Sequence, residues 1–105
     1  MAATVYKLFT VFDWQPGWTY SFTWKNIPDV KAVAVDVKHW NVGSFQEGYT
    51  TTTEAEVTRF WRRRRQIESA GSIGVNVEVR WDVRGEVKNI GADSIDFEVY
   101  LIAFT

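Results

Sequence analysis

The chain has 105 residues, 24% of them charged, a formal net charge of −1 and no cysteine. That length suits one domain, 1–105, with a modest core. The balanced charge argues against a field that collects nucleic acid or anionic membrane. The missing cysteines exclude disulfides, thiolate catalysis and cysteine-ligated zinc. Six Trp are many for this length, and such rings bury large areas in a small sheet-rich domain. No window reaches the roughly 18 apolar residues of a membrane span. The opening "MAATVYKLFTVFDW" is interrupted by Lys7 and Thr10 and reads as mature sequence rather than a targeting segment.

In chain order, residues 4–12 ("TVYKLFTVF") are β-rich and apolar on both faces. "QPG" at 15–17 supplies a turn. In residues 18–25, Trp18, Tyr20, Phe22 and Trp24 alternate with polar residues, the period of a half-buried strand. That spacing places Phe22 and Trp24 in the core. "NIPD" at 26–29 is a second turn, and 30–41 is a strand with Val33, Val35 and Val37 on one face. The polar run "SFQEGYTTTT" at 44–53 reads as a loop.

Residues 50–71 fit two readings. Thr53 followed by Glu56 matches a capping box, Glu54 and Glu56 precede Arg62–Arg65 as the helix dipole prefers, and Gly71 suits a stop. A strand would instead place Val57, Trp61 and Ile67 on one face together with Arg59, Arg63 and Arg65. The helix, around residues 54–69, is preferred to so long and charged a strand.

Alternation returns in 73–84, where Ile73, Val75, Val77, Val79, Trp81 and Val83 share a face. "RGEVKNIGAD" at 84–93 is expected to break at Gly85 and Gly91, leaving a short strand through Glu86–Ile90. In 94–104 Ile95, Phe97, Val99, Leu101 and Ala103 form one row. The opposite row turns apolar at Tyr100, Ile102 and Phe104, implying cover on both faces there. The expected fold is mainly β: an antiparallel, jelly-roll-like β-sandwich of five to six strands plus the one helix. A single sheet covered by the helix is the second arrangement.

Chemistry-bearing constellations are sparse. His39 is the only histidine, so no histidine-rich metal cluster exists, and no "GxSxG" elbow surrounds any serine. Asp96 and Glu98 share a strand face, which fits a Ca²⁺ or acid/base pair less well than a solvated face. No Walker loop, dinucleotide glycine pattern, EF-hand or "HExxH" occurs. Neither an enzymatic activity nor a cofactor is expected.

Binding residues are better marked. Arg62, Arg63, Arg64 and Arg65 beside Trp61 suggest phosphate contacts. Four consecutive arginines cannot face one backbone, however, whether on a helix or on a strand. Carboxylate pairing within the chain or between subunits suits them better than nucleic acid. Trp14 and Trp18 flank the "QPG" turn, where exposed rings demand a partner. They could stack on a sugar, supported by Gln15, Asn41 and Asp13, or lie between subunits, where Trp and Arg concentrate.

The C-terminal stretch "VNVEVRWDVRGEVKNIGADSIDFEVYLIAFT" resembles the terminal strands of β-sandwich modules in bacteriophage virions, the accessory, decoration and tail-fibre components. The resemblance implies assembly, as a symmetric oligomer or a subunit on a larger particle. The leading expectation is a non-enzymatic virion-accessory protein that partners itself, as a trimer or larger. A lectin binding surface glycans through Trp14 and Trp18 is the alternative, and nucleic-acid binding through Arg62–Arg65 the third. No membrane partner is expected.

Overall fold

The computed structural model describes residues 2–43, 48, 50–71 and 74–105. It contains six strands: β1 (Ala3–Trp14), β2 (Thr19–Ile27), β3 (Ala32–Asn41), β4 (Ala55–Gly71), β5 (Gly74–Asn89) and β6 (Ile95–Phe104). They form two three-stranded antiparallel sheets, ordered β1-β6-β3 and β2-β5-β4. The protein is therefore mainly β, built of two antiparallel sheets. Ile73, the expected start of a strand, and residues 44–47 and 49 of the expected loop lie outside the described residues.

The helix expected around residues 54–69 is not formed; that block is β4. Its partner decides this. β5 is a long alternating strand with no competing neighbour along its outer half, and β4 pairs with it from Ala55 opposite Asn89 to Gly71 opposite Gly74. A capping box and a favourable dipole are worth about 1 kcal/mol each, less than a ladder of this length. Thr53, expected to cap the helix, hydrogen-bonds through its hydroxyl to His39 Nδ1 at 2.8 Å.

The break expected at Gly85 is also absent, since β5 runs through it without interruption. Gly85 sits opposite Phe22 on β2, and a Cβ there would lie 2.7 Å from the Phe22 ring. Glycine is used here for close approach of an aromatic ring, not for a turn.

The core comes from the two central strands. β6 contributes the expected row of Ile95, Phe97, Val99, Leu101 and Ala103, all buried, while Tyr100, Ile102 and Phe104 on the other face are half-buried. β5 contributes Val83 and Val87, and Leu8, Phe22 and Ile27 complete the cluster. Phe22 is core as expected, but Trp24 is exposed. It borders a mainly apolar opening of about 200 Å³ at one end of the sandwich, lined also by Ile27, Leu101 and Ala103.

Beyond that end, the β4–β5 hairpin continues alone. β2 stops at Ile27, opposite Trp81, so among the described residues only β4 pairs with residues 74–80 of β5. The molecule measures 70 × 28 × 18 Å, with a radius of gyration of 18.3 Å. A compact domain of this length would have about 13 Å. The difference is an arm.

Candidate assembly surface

The arm comprises Arg63–Gly71 of β4 and Gly74–Asp82 of β5, roughly 30 Å long at the usual strand rise. Its root is built from the arginine run. Because strand side chains alternate, the four arginines divide two and two across the faces. Arg63 and Arg65 meet Asp82, whose side chain is 0% exposed. Arg63 Nη2 donates to Asp82 Oδ2 at 2.8 Å, and Arg65 donates through Nε to Oδ2 and through Nη2 to Oδ1, both at 3.0 Å.

Asn26 closes this node. It adopts φ 63°, a left-handed conformation that Asn tolerates, at an irregularity in β2. There its backbone N–H donates to Asp82 Oδ1 at 3.2 Å, and its side-chain oxygen accepts from Arg65 at 2.8 Å. Hydrogen bonds from Arg65 first, and Arg63 next, hold the Asp82 carboxyl well below the usual carboxylate range, against the opposing effect of burial.

Arg62 and Arg64 lie on the core-side face. The Arg62 guanidinium stacks 4.4 Å from the centre of the Trp81 ring and donates to the carbonyls of Val30, at 2.8 Å, and Lys31, at 3.1 Å. It thus ties the arm to the β2–β3 connection. Trp81 Nε1 donates to Asp29 Oδ1 at 2.8 Å. The arginine cluster pins the root of the arm on both faces. Arg62, Arg63 and Arg65 are committed to contacts within the chain.

Outward from the root the two faces differ. The one register shift between β4 and β5 falls on β4, and β5 itself skips no residue, so its odd-numbered residues keep one face throughout. That face carries Val83 and Val87 inside the sandwich, Trp81 at its rim, and then Val79, Val77 and Val75 outside it. Val77 is 55% exposed and Val75 66%. The core row therefore continues for three residues past the sheet that would cover it. On β4 the same face bears Arg64, Gln66, Glu68 and Ala70.

Trp61 belongs to the opposite face. A bulge between Val57 and Arg59 reverses the alternation, so Val57 turns to the core while Trp61 faces outward with Arg59, Arg63 and Arg65. Arg59 and Arg84 flank its ring at 4.8 and 5.7 Å, and Arg59 also pairs with Glu86 at 2.7 Å.

The other candidate residues sit at the opposite end of the sandwich. Trp14 is half-buried. Its ring packs edge-on against Tyr20 at 5.3 Å and Phe97 at 6.4 Å, and its Nε1 donates to the Trp18 carbonyl at 2.9 Å. Trp14 and Trp18 are 82° apart, so they form no flat two-ring platform for a sugar; Trp18 alone, 51% exposed, offers a ring. Gln15 accepts from Ser94 at 3.0 Å and donates to Asp13, and Asn41 caps the Gly43 amide. Behind them, buried Asn89 donates to the carbonyls of Trp14 and Asp93 and accepts from Gly91 N–H. The turn is anchored to the core, and Asn41 does not join it through any described hydrogen bond.

Two carboxylates of β6 also have internal partners. Glu98 accepts from the Tyr100 hydroxyl and pairs with Lys7, so its carboxyl is held low and the phenol is raised. Asp96 accepts from the Asp13 amide at 2.8 Å. Among the described residues no three His, Asp or Glu side chains are grouped to hold a metal ion.

Sequence reasoning missed the arm because it placed a helix there. The signal was present: two long β-compatible blocks flank "GSIG" at 71–74, a hairpin connection. Comparison of the chain with protein-family models, curated proteins and solved structures finds no match.

Proposed function

We propose that this chain is a non-enzymatic structural protein, a jelly-roll-like β-sandwich of the virion-accessory type that acts by assembling with copies of itself, alone or on a larger particle. The observation that carries this reading is the arm. It exposes a row of valines continuous with the core, and its β5 edge is unpaired over residues 74–80. Isolated two-stranded ribbons are marginal in water, and unprotected edges invite pairing with another chain. A root of six charge-assisted hydrogen bonds at Asp82 and Arg62 nevertheless holds the ribbon out from the body. The nested antiparallel pairs, β1 with β6 in one sheet and β2 with β5 in the other, support the jelly-roll-like reading.

Light scattering on the full chain tests the reading. A mass that is a multiple of the 12.2 kDa protomer is expected. A monomer at every concentration, with no binding to any particle, would remove it.

A further inference from the structure

We propose that the β4–β5 arm packs face to face against the same arm of a second copy, the two running antiparallel about a two-fold axis. This rests on the assembly reading above and names the surface and symmetry through which assembly occurs.

The continuing row specifies what must cover it. Within the sandwich, the odd-numbered face of β5 is buried by the facing sheet; past Trp81 the same face carries Val79, Val77 and Val75, with no layer opposite among the described residues. The missing layer must be apolar and shaped to a pleated ribbon, about 10 Å away as in any sheet stack. A second arm supplies such a ribbon.

Charge decides that the occupant is a second copy and fixes its direction. On this face β4 presents Arg64, Gln66 and Glu68 in a row. Arg64 Nη1 donates to Gln66 Oε1 at 3.0 Å, and Gln66 Nε2 donates to Glu68 Oε1 at 2.8 Å. The row is positive toward the root and negative toward the tip, over about 13 Å. A two-fold axis through Gln66 sets Arg64 of each copy over Glu68 of the other and brings Val79 over its own equivalent. Parallel arms, related by a two-fold along the arm, would lay β4 over β5 and set Arg64 and Glu68 against Trp81 and Val77, with no opposite charge facing either. The patch is self-complementary only in the antiparallel sense, the mark of an isologous contact. The smallest assembly through the arms is then a dimer, and larger ones are built from such pairs rather than from a three-fold ring of arms.

Charge reversal on the full-length protein is the test, read by light scattering and sedimentation. Arg64→Glu and Glu68→Arg each set like charges together and weaken self-association by at least roughly tenfold. The double variant Arg64→Glu/Glu68→Arg restores it, because each reversed pair is again complementary. Val77→Asp abolishes the association. Near-UV circular dichroism of the tryptophans, most of which lie in the body or at the root, reports that each variant is folded.

A second measurement needs no loss of function. The chain has no cysteine, so Val79→Cys offers one thiol, which a bis-maleimide spanning about 10 Å links to its counterpart as a covalent dimer. If wild-type protein is oligomeric yet neither charge reversals nor cross-linking respond, the arm contact is wrong and the assembly reading survives. If wild-type protein is monomeric the arm contact falls, and if it also binds no particle the assembly reading falls with it.

Discussion

Gly85→Ala reverses the usual sign of a glycine-to-alanine change in a strand. Alanine in a strand interior is ordinarily favoured by roughly 0.5–1 kcal/mol, because glycine has more conformational freedom to lose. Here the added Cβ would stand 2.7 Å from Phe22 Cζ and 3.0 Å from the Arg59 carbonyl. The backbone oxygen belongs to the β4–β5 ladder, so the ring must give way. Phe22 is buried and packs edge-on against Phe9 at 5.4 Å, which leaves little room to retreat. Overpacking of this kind costs about 1–3 kcal/mol. For a domain near this size that lowers Tm by roughly 4–20 °C. The assay is thermal or urea unfolding at one fixed protein concentration, because self-association makes Tm concentration-dependent. A Phe22→Ala background removes the clash, so Gly85→Ala should cost at least about 1 kcal/mol less there, a coupling read from the double-mutant cycle. Neutral or increased stability on adding alanine to the wild-type protein would refute the close approach of ring and strand.

Asn89→Ala orphans the Trp14 and Asp93 carbonyls and the Gly91 amide, so it should lower stability by about 2–4 kcal/mol in urea unfolding; a loss within error would show that water replaces the side chain. Asp82 and Glu98 have depressed folded-state pKa values, so their contribution is fully present above the unfolded values of about 4 and drains as pH falls through the folded ones. Unfolding free energy should therefore be flat near neutrality and fall on acidification, with Asp82→Asn flattening the acid limb. An unchanged acid limb in that variant would place the effect elsewhere. Trp14→Ala should destabilise by about 2–3 kcal/mol, because its ring packs on Tyr20 and Phe97. Trp18→Ala should cost less than about 1 kcal/mol, and equal losses in thermal melts would contradict their different burial.

The sandwich was legible because alternation is a local property. The β6 row from Ile95 to Ala103 is buried as its period-two spacing requires, since any sheet packed on one face needs it. β4 was not legible because helix and strand compete for the same residues, and its partner lies across a hairpin rather than within its own window. Once β5 is long and alternating, the ladder outweighs the cap at Thr53. Gly85 misled for a related reason: a glycine read as a break was needed for the Phe22 ring opposite, which only the register reveals. The arginine run shows the limit of motif reading. Its two-by-two division followed from strand geometry alone, but Asp82 and Trp81 as its partners come from a strand some twenty residues away. Spacing places Trp24 in the core, but it lies on the edge strand β2 beside the opening it shares with Ile27, Leu101 and Ala103, and stays exposed.

Small-angle X-ray scattering of the wild-type protein reads mass and greatest dimension together. Antiparallel arms give a dimeric mass and a particle of roughly 110 Å, two 70 Å protomers overlapped along about 30 Å of arm. A single 12.2 kDa protomer no longer than 70 Å at high concentration would contradict assembly through the arm.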